Sequence, residues 1–438
     1  VALLGSEQAF GVTGAIHSIR AQCAWRRGEL DLAASLLKRA TEAYEVVGAT
    51  VRRATCLVNL AELLRRSGRL EEARARYLEL LPSTDARDLY CVGTLNLAIL
   101  ELEDGHVDEA ARLASVLLDE GESSLGWYES VVHVLVLPSL GSEELLGRIR
   151  LIRGHYLERQ VPRETDVPDV LLRVAQVFED RGATDVAGDL YAIAYDVVER
   201  VGFGPDLVAR AREALLRVRD AGARPWLGSA RLEGLLGRGG MAAVWRAHDV
   251  LSGEDVAVKV ISADQPGSSS SEQAAASLQR EVAQVASLQH PAIVQVVDTG
   301  VVPPSAEVLS GGSLVAGSPF VTMELVDGGT LKDLRGRVDW PTTRRVLRVL
   351  LDALAHAHAR GMVHMDLKPA NVLVEAGSDG SPRRVKLADF GIARGFRDLG
   401  SDELTGGTPR YMAPEQVRKQ VRVMGPWTDL YALGCVTI

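Results

Sequence analysis

Near Arg231 the hydrophobic pattern of this chain changes from helical spacing to the short runs typical of β-strands. Before that point, apolar residues recur at the three- and four-residue spacing of helices. After it, short apolar runs are separated by turns, and long helical stretches return only further along. One repeating architecture does not produce both patterns, so the sequence predicts two units of different fold class. Hydrophobic residues make up 47% of the 438 residues, which is enough for each unit to bury a core.

The N-terminal half contains a recurring turn between two helical stretches. The glycines in these turns, spaced 40, 37 and 77 residues apart, are Gly28, Gly68, Gly105 and Gly182. The longest gap fits two units with a degenerate turn near Gly141. Glycine suits the positive-φ position that ends a helix. The alanines that follow the turns at similar offsets, where a small side chain permits close helix packing, are Ala33, Ala73, Ala110 and Ala187.

This period is close to that of paired-helix repeats, and the region resembles a tetratricopeptide-like array with longer units and an incomplete aromatic signature. The resemblance implies an α-solenoid whose stacked repeats share a concave surface. An ordinary irregular helical domain is the alternative. The region has no cluster of catalytic residue types, so we interpret residues 1–220 as a regulatory module that binds a protein partner. Residues 221–229, which contain two glycines and a proline, are expected to be a linker.

Charge and cysteine content narrow the possible function classes. The net charge of −9 argues against nucleic-acid binding, because no excess of basic residues is available for phosphates. The four cysteines are scattered and form no CxxC pair, which indicates reduced thiols and a cytoplasmic location. The longest strongly apolar stretch, 131–140, is too short to cross a bilayer, so we expect no membrane segment within this chain.

The C-terminal half, from residue 230, carries an ordered series of motifs. It opens with a glycine-rich turn between two predicted strands, where missing Cβ atoms let the backbone approach phosphates. Next comes Lys259 on an apolar strand, where a buried charge needs a partner. The motifs that follow are HPAIV at 290–294, a strand and glycine turn at 320–331, HMDLKPAN at 364–371, DFG at 389–391 and GTPRYMAPE at 407–415. Between them, the serine- and glycine-rich stretches 268–271 and 311–317 are expected to be flexible insertions.

In this order and spacing, residues 230–438 resemble the eukaryotic-like protein serine/threonine kinases of bacteria. The resemblance implies a bilobal protein kinase fold after the α-solenoid, so the whole chain is expected to be α+β. It implies transfer of the γ-phosphate of ATP to serine or threonine hydroxyls of proteins, with Mg²⁺ as the metal. The chain ends at Ile438, in the helix that carries Asp429, so the resemblance implies a truncated C-lobe that can leave the chain as given inactive.

The resemblance also implies catalytic roles. Asp366 would accept or orient the proton of the substrate hydroxyl, and Lys368 would approach the γ-phosphate. Lys259 would hold the α- and β-phosphates and would be oriented by Glu281. Thr408 would pack near the catalytic aspartate and help to seat the substrate.

A second implied set of residues surrounds the nucleotide and its metal. Asn371 and Asp389 would ligate magnesium through oxygen atoms, which this ion prefers. The residues expected to contact ATP are Leu236, Gly237, Gly239, Gly240, Val244, Ala257, Lys259, Met323, Glu324, Val326, Asn371, Leu373 and Asp389. Among them, backbone groups of Glu324 and Val326 would bind the adenine edge, with Met323 as the gatekeeper.

One departure from the family pattern affects regulation. The arginine that usually precedes the catalytic aspartate is Met365 here. Two other functions are alternatives, a nucleotide-binding scaffold and a small-molecule phosphotransferase. The complete set of phosphoryl-transfer residues disfavours the scaffold. The 407–415 segment, which resembles a peptide-docking feature, disfavours the small-molecule enzyme.

Overall fold

The computed structural model describes residues 6–83, 86–119, 129–158, 166–239, 242–261, 288–377, 382–390, 409–418 and 423–436. The chain divides into two compact units, Val1–Ala223 and Arg224–Ile438, called here the N-terminal and C-terminal units. The described part of the first is helical, and the second contains two β-sheets. The predicted change of fold class along the chain, and with it the α+β assignment, is confirmed.

The N-terminal unit is a succession of helices in which most pack against the next helix along the chain. The α-helices described are α1 (Ser6–Arg26), α2 (Leu30–Val46), α3 (Thr50–Arg66), α4 (Leu70–Leu80), α5 (Arg87–Glu103), α6 (Val107–Asp119), α7 (Glu129–Val136), α8 (Ser142–Glu158), α9 (Val167–Asp180), α10 (Thr184–Val201) and α11 (Pro205–Asp220). Alternate helices also meet, as α3 does with α5 and α7 with α9. This pattern of contacts is the stacking expected of paired-helix repeats.

The predicted glycine turns separate the helices at the expected places. Gly28, Gly68, Gly105 and Gly182 have φ values of 76°, 75°, 87° and 76°, in the left-handed region that favours glycine. The four alanines that follow these turns are 0–1% exposed, so the close helix packing predicted for them is present. The degenerate turn near Gly141 differs in kind, because a 3₁₀ turn at Leu137–Ser139 ends the preceding helix there.

An ion network ties three parts of the N-terminal unit together. The side chain of Arg65 in α3 is 4% exposed and contacts Glu62 in its own helix at 2.9 Å, Glu103 of α5 at 2.6 Å and Asp166, which precedes α9, at 2.5 Å. Burial raises the pKa of Glu62, but hydrogen bonds from Arg65 and Arg66 outweigh burial and hold that pKa below its usual value. The guanidinium therefore joins helices that lie far apart in the sequence.

The C-terminal unit begins with a six-stranded antiparallel sheet in the order β1-β2-β3-β4-β6-β5. Its strands are β1 (Trp226–Leu227), β2 (Ala230–Arg238), β3 (Ala242–Asp249), β4 (Asp255–Ile261), β5 (Val296–Val301) and β6 (Pro319–Glu324). Alternate residues of β4 contribute to two cores. Ala257 and Ile261 pack in one, and Val256, Val258 and Val260 pack in the other. Strand β1 lies within the segment expected to be a linker.

The connection between β5 and β6 contains helix α12 (Pro304–Leu309). It packs on the core formed by Val256, Val258 and Val260. Ala306 and Leu314 are 0% and 1% exposed, and the amide of Gly317 donates to the carbonyl of Val302 at 2.8 Å. The segment 311–317, predicted to be a flexible insertion, packs on this core through one leucine among its glycines. The other stretch, 268–271, lies outside the described residues.

A second sheet and further helices complete the described part of this unit. The sheet has the order β7-β8-β9, with β7 (Gly329–Thr330), β8 (Val372–Ala376) and β9 (Pro382–Leu387), and the helices are α13 (Trp340–His358), α14 (Pro414–Val417) and α15 (Pro426–Val436). Leu350 of α13, Val372 of β8 and Leu433 of α15 share a core with Ala257 of the first sheet. This shared core sets the two sheets against each other. None of the described helices is both long and apolar enough to span a membrane.

Candidate active site

Lys259 and Asp389 meet where strand β4 faces the end of β9. The ammonium Nζ donates to Asp389 Oδ1 at 2.6 Å, and the two side chains are 13% and 33% exposed. Asp389 has a φ of 65°, which is unusual for a residue with a side chain and costs about 1–3 kcal/mol. The chain is held on both sides of it, because the amide of Ala388 donates to Asn371 O at 2.9 Å and Phe390 is buried. The lysine charge predicted to need a partner therefore has one.

The segment between α13 and β8, called here the catalytic loop (364–371), gathers three of the predicted residues around one carboxylate. Lys368 Nζ donates to Asp366 Oδ2 at 2.8 Å. Asn371 Nδ2 donates to the carbonyl of Asp366 at 2.8 Å and to Oδ2 at 3.3 Å. The carboxylate side chain is nevertheless 37% exposed. It is therefore held in a fixed direction and can still be reached by a substrate group.

Buried polar groups fix the backbone of the catalytic loop. His364 is fully buried and its Nε2 donates to the carbonyl of Ala388 at 2.9 Å. Because a carbonyl can only accept, the proton lies on Nε2, and Nδ1 accepts from the amide of Asp366 at 3.3 Å. Asp429 of α15 is 1% exposed and accepts from the amides of His364 and Met365 at 2.7 and 2.8 Å. A second histidine, His358, contacts the same carboxylate at 2.7 Å, which is a structural role rather than metal binding.

The predicted hinge begins where β6 ends, at Glu324. Its amide donates to the carbonyl of Gln295 at 3.0 Å, which leaves the carbonyl as its backbone candidate for a base edge. Its side chain accepts from the buried Lys386 and, at 2.9 Å, from Arg384, both in β9. Lys386 also donates to the carbonyl of Ile293 at 3.2 Å. The hinge is therefore braced against the second sheet.

An apolar group next to the hinge fits the flat face of a ring. Ala257 and Met323 are 7% and 8% exposed in the shared core, and Val244 and Leu373 pack against that core while half-buried. The glycine-rich turn begins nearby, since Gly237 pairs with Val244 between β2 and β3. At the turn itself, the amide of Gly239 donates to the carbonyl of Ala242 at 2.8 Å, and Leu236 is 53% exposed.

Three predicted site residues, Gly240, Glu281 and Thr408, lie outside the described residues. The pairing of Lys259 with Glu281 and the seating of substrate by Thr408 therefore remain predictions. The described partner of Lys259 is Asp389.

Sequence reasoning missed the residues that support the site. From the sequence, Asp429 is only a position in the last helix, and no role is predicted for Lys386 or for Gln416, whose amide donates to the carbonyl of Met365. A lysine placed three residues before Asp389, on a strand predicted to be buried, was the available signal for Lys386. Gln416 and Asp429 gave no comparable signal, because the catalytic-loop backbone that each contacts lies more than fifty residues away in the sequence.

The described residues fit a nucleotide and a divalent cation. The amide nitrogen of Asn371 is engaged by Asp366, so its oxygen is the atom left for a cation. Together with the carboxylate of Asp389 this gives hard oxygen donors, the type that divalent ions such as Mg²⁺ and Ca²⁺ use. Lys259 and Lys368 add positive charge through their contacts with Asp389 and Asp366.

Comparison with known proteins gives matches to both units. The protein kinase domain family matches residues 231–438, and the tetratricopeptide repeat family matches residues 12–85. A probable serine/threonine-protein kinase of Streptomyces coelicolor is 39% identical over 217 residues, which are 48% of this chain and 29% of that protein. The serine/threonine-protein kinase PknB of Mycobacterium tuberculosis is 38% identical over 209 residues, which are 46% of this chain and 30% of that protein.

Among solved structures, the Mycobacterium tuberculosis PknI kinase domain matches 49% of this chain and 74% of its own, with 25% identity and a TM-score of 0.36. The chain spans less than a third of the length of the curated relatives named above. The kinase family implies ATP, a divalent metal and protein substrates, and the repeats imply protein interactions. Residues 231–438 therefore form a protein kinase domain, and residues 12–85 carry tetratricopeptide repeats.

Proposed function

We propose that this chain is part of a protein serine/threonine kinase that transfers the γ-phosphate of ATP to serine or threonine hydroxyls of proteins. The observation that carries the proposal is the convergence of Lys368 and Asn371 on Asp366, with a second pair, Lys259 and Asp389, at the end of β9. Phosphoryl transfer needs positioning and charge stabilisation more than covalent chemistry. This arrangement supplies both.

Each side chain of the catalytic loop has a defined task in this proposal. Asp366 orients the substrate hydroxyl and accepts its proton, because its carboxylate is fixed by two donors and still exposed. Lys368, which touches that carboxylate, neutralises charge on the transferred phosphoryl group. Thr408 is proposed to seat the substrate.

The nucleotide is proposed to lie between the two sheets. Lys259 holds its α- and β-phosphates under the glycine-rich turn of Gly237, Gly239 and Gly240, and Glu281 is proposed to orient the lysine. The carbonyl of Glu324 binds the adenine edge. The remaining hinge and ring contacts are assigned to Leu236, Val244, Ala257, Met323, Val326 and Leu373. The oxygens of Asn371 and Asp389 would hold Mg²⁺, which when bound neutralises phosphate charge.

The N-terminal unit is proposed to bind a protein partner and to regulate the kinase. The match to the tetratricopeptide repeat family supports this assignment. The net charge of −9 supports a protein partner rather than a nucleic acid. A cytoplasmic location is proposed because the four cysteines are scattered in the sequence and form no CxxC pair.

The test is transfer of label from γ-labelled ATP to a generic protein substrate, made with the full-length protein that contains this chain. We expect Asp366→Asn to lower the rate by about 10³-fold or more, because the base is lost while the shape is kept. The matched control is Asp352→Asn, at a carboxylate that is 78% exposed on α13. It should retain the parent rate. Transfer by Asp366→Asn within twofold of the parent would contradict the assignment.

A further inference from the structure

Gln416 is a polar residue outside the predicted site that contacts it directly. It lies in the short helix α14, and both ends of its side-chain amide are bonded. Its Oε1 accepts from the amide of Ala413 at 3.0 Å, and its Nε2 donates to the carbonyl of Met365 at 2.8 Å. The first partner belongs to the 407–415 segment that resembles a peptide-docking feature. The second immediately precedes Asp366.

The peptide unit between Met365 and Asp366 is fixed at each of its polar atoms. Gln416 bonds its oxygen, and His364 Nδ1 accepts from its N–H at 3.3 Å. On the other side of Met365, the amide donates to Asp429 at 2.8 Å. The φ of Met365 is 67°, in the left-handed region, where a residue with a side chain is held at a cost of about 1–3 kcal/mol. Such a conformation persists only where its surroundings over-determine it.

We infer that Gln416 is a positioning residue that sets the direction of the Asp366 carboxylate and links it to the substrate-docking segment. Rotation of the Met365–Asp366 peptide would turn the aspartate away from Lys368 and Asn371. The glutamine opposes that rotation by holding the carbonyl, while its other end is anchored on Ala413. Movement of the docking segment is thereby transmitted to the catalytic carboxylate. This inference rests on the proposed function, because the direction of Asp366 matters only if it orients a substrate.

The chemistry of the amide makes the inference testable. Only a group with one donor and one acceptor satisfies both a carbonyl and an N–H. Glutamate keeps the length and the acceptor for Ala413, but places a second oxygen against the carbonyl of Met365. Methionine keeps the length and removes both bonds. The neighbouring Val417 is 64% exposed, so Val417→Ala is a matched control in the same helix.

The experiment measures kcat and KM in the full-length protein for Gln416→Glu and, should that variant fail to fold, for Gln416→Met. We expect kcat to fall about tenfold, equivalent to about 1.4 kcal/mol in the barrier, with the KM for ATP within twofold of the parent. Val417→Ala should keep the parent kcat. A kcat within twofold of the parent in the Gln416 variant measured, or a loss expressed only in the KM for ATP, overturns the inference.

Hydrogen exchange in the catalytic loop separates this inference from the proposed function. Exchange at the amide of Asp366 should be at least about fivefold faster in Gln416→Glu than in the parent, because the peptide is freed to rotate. Unchanged exchange overturns the inference even if the protein is an active kinase. A parent that transfers no phosphate refutes the proposed function, and exchange then still decides whether Gln416 holds the loop.

Discussion

The two units use charged side chains in different ways. In the N-terminal unit, Arg65 is 4% exposed and is enclosed by three carboxylates from separate elements. In the C-terminal unit, Asp366 and Asp389 are paired with lysines, yet their side chains remain 37% and 33% exposed. In the first arrangement the charged side chains serve to hold helices together. The second fixes the direction of its charges and leaves them accessible, which is what a site of chemistry requires.

The choice of cation follows the same division. Of the six lysines in the chain, only Lys38 precedes residue 224, and the N-terminal unit builds its networks from arginine. Three of the others, Lys259, Lys368 and Lys386, contact carboxylates around the candidate site. Arginine offers a planar fork that binds several carboxylates at once, whereas lysine is a compact charge suited to a phosphate. Lys259 and Lys368 are the functional cations in this comparison, whereas the buried Lys386 braces the hinge, so position counts as well as residue type.

The largest effect is expected from removing a functional cation. Lys259→Met should lower phosphate transfer by about 10³-fold, because the phosphates lose a preorganised charge, and should leave the melting temperature nearly unchanged. The measurement is the rate of label transfer together with thermal melting. Lys332→Met is the control, since Lys332 is an exposed lysine in the same unit. Transfer at the parent rate by Lys259→Met would break the proposed contrast between the units.

A smaller change in free energy is expected from removing Arg65, the structural cation of the N-terminal unit. Arg65→Met should lower the free energy of unfolding of the N-terminal unit by about 3 kcal/mol, because Glu62, Glu103 and Asp166 are left without their shared partner. Denaturant unfolding followed by circular dichroism measures this loss.

The control for that experiment is Arg112→Met, which removes an arginine that is 62% exposed and pairs only within its own helix with Glu109. It should change stability by less than about 0.5 kcal/mol. Equal effects of the two substitutions would show that the buried Arg65 network adds no more stability than an exposed ion pair does.

The smallest effect on the transfer rate is expected from substitutions at Ser401 and Thr405, which precede the 407–415 segment in the sequence. Met365 offers no charge for a phosphate, whereas an arginine there would bind one bidentately. Ser401→Ala and Thr405→Ala, both outside the described residues, should therefore each change the transfer rate by less than about threefold. A tenfold drop, about 1.4 kcal/mol in the barrier, would show that phosphorylation there controls the enzyme after all and that another arginine supplies the contact.

The sequence predicted those parts of the molecule whose geometry follows from local rules. The glycine turns and the buried alanines of the repeats follow from backbone freedom and side-chain size, and the structure has them as predicted. The clustering of Lys368 and Asn371 on Asp366 follows from their closeness in one loop.

The remaining features depend on pairs that are distant in the sequence. Arg65 meets Asp166 across 101 residues, and Gln416 meets Met365 across 51. Hydrophobic periodicity carries no information about such polar pairs. The packing of 311–317 was missed for a related reason, because its glycine and serine content indicated flexibility while a single buried leucine decided the outcome.

The account is tested most directly by measuring melting and phosphate transfer on the same preparations of two variants, Asp366→Asn and Arg65→Met. We expect Asp366→Asn to melt like the parent and to transfer phosphate more slowly by about 10³-fold or more. Arg65→Met should show a melting transition of the N-terminal unit about 8 °C lower, and should transfer phosphate at the parent rate well below that transition. The opposite pattern, in which Asp366→Asn stays active or Arg65→Met is inactive while fully folded, would contradict the division between a structural and a catalytic use of charge.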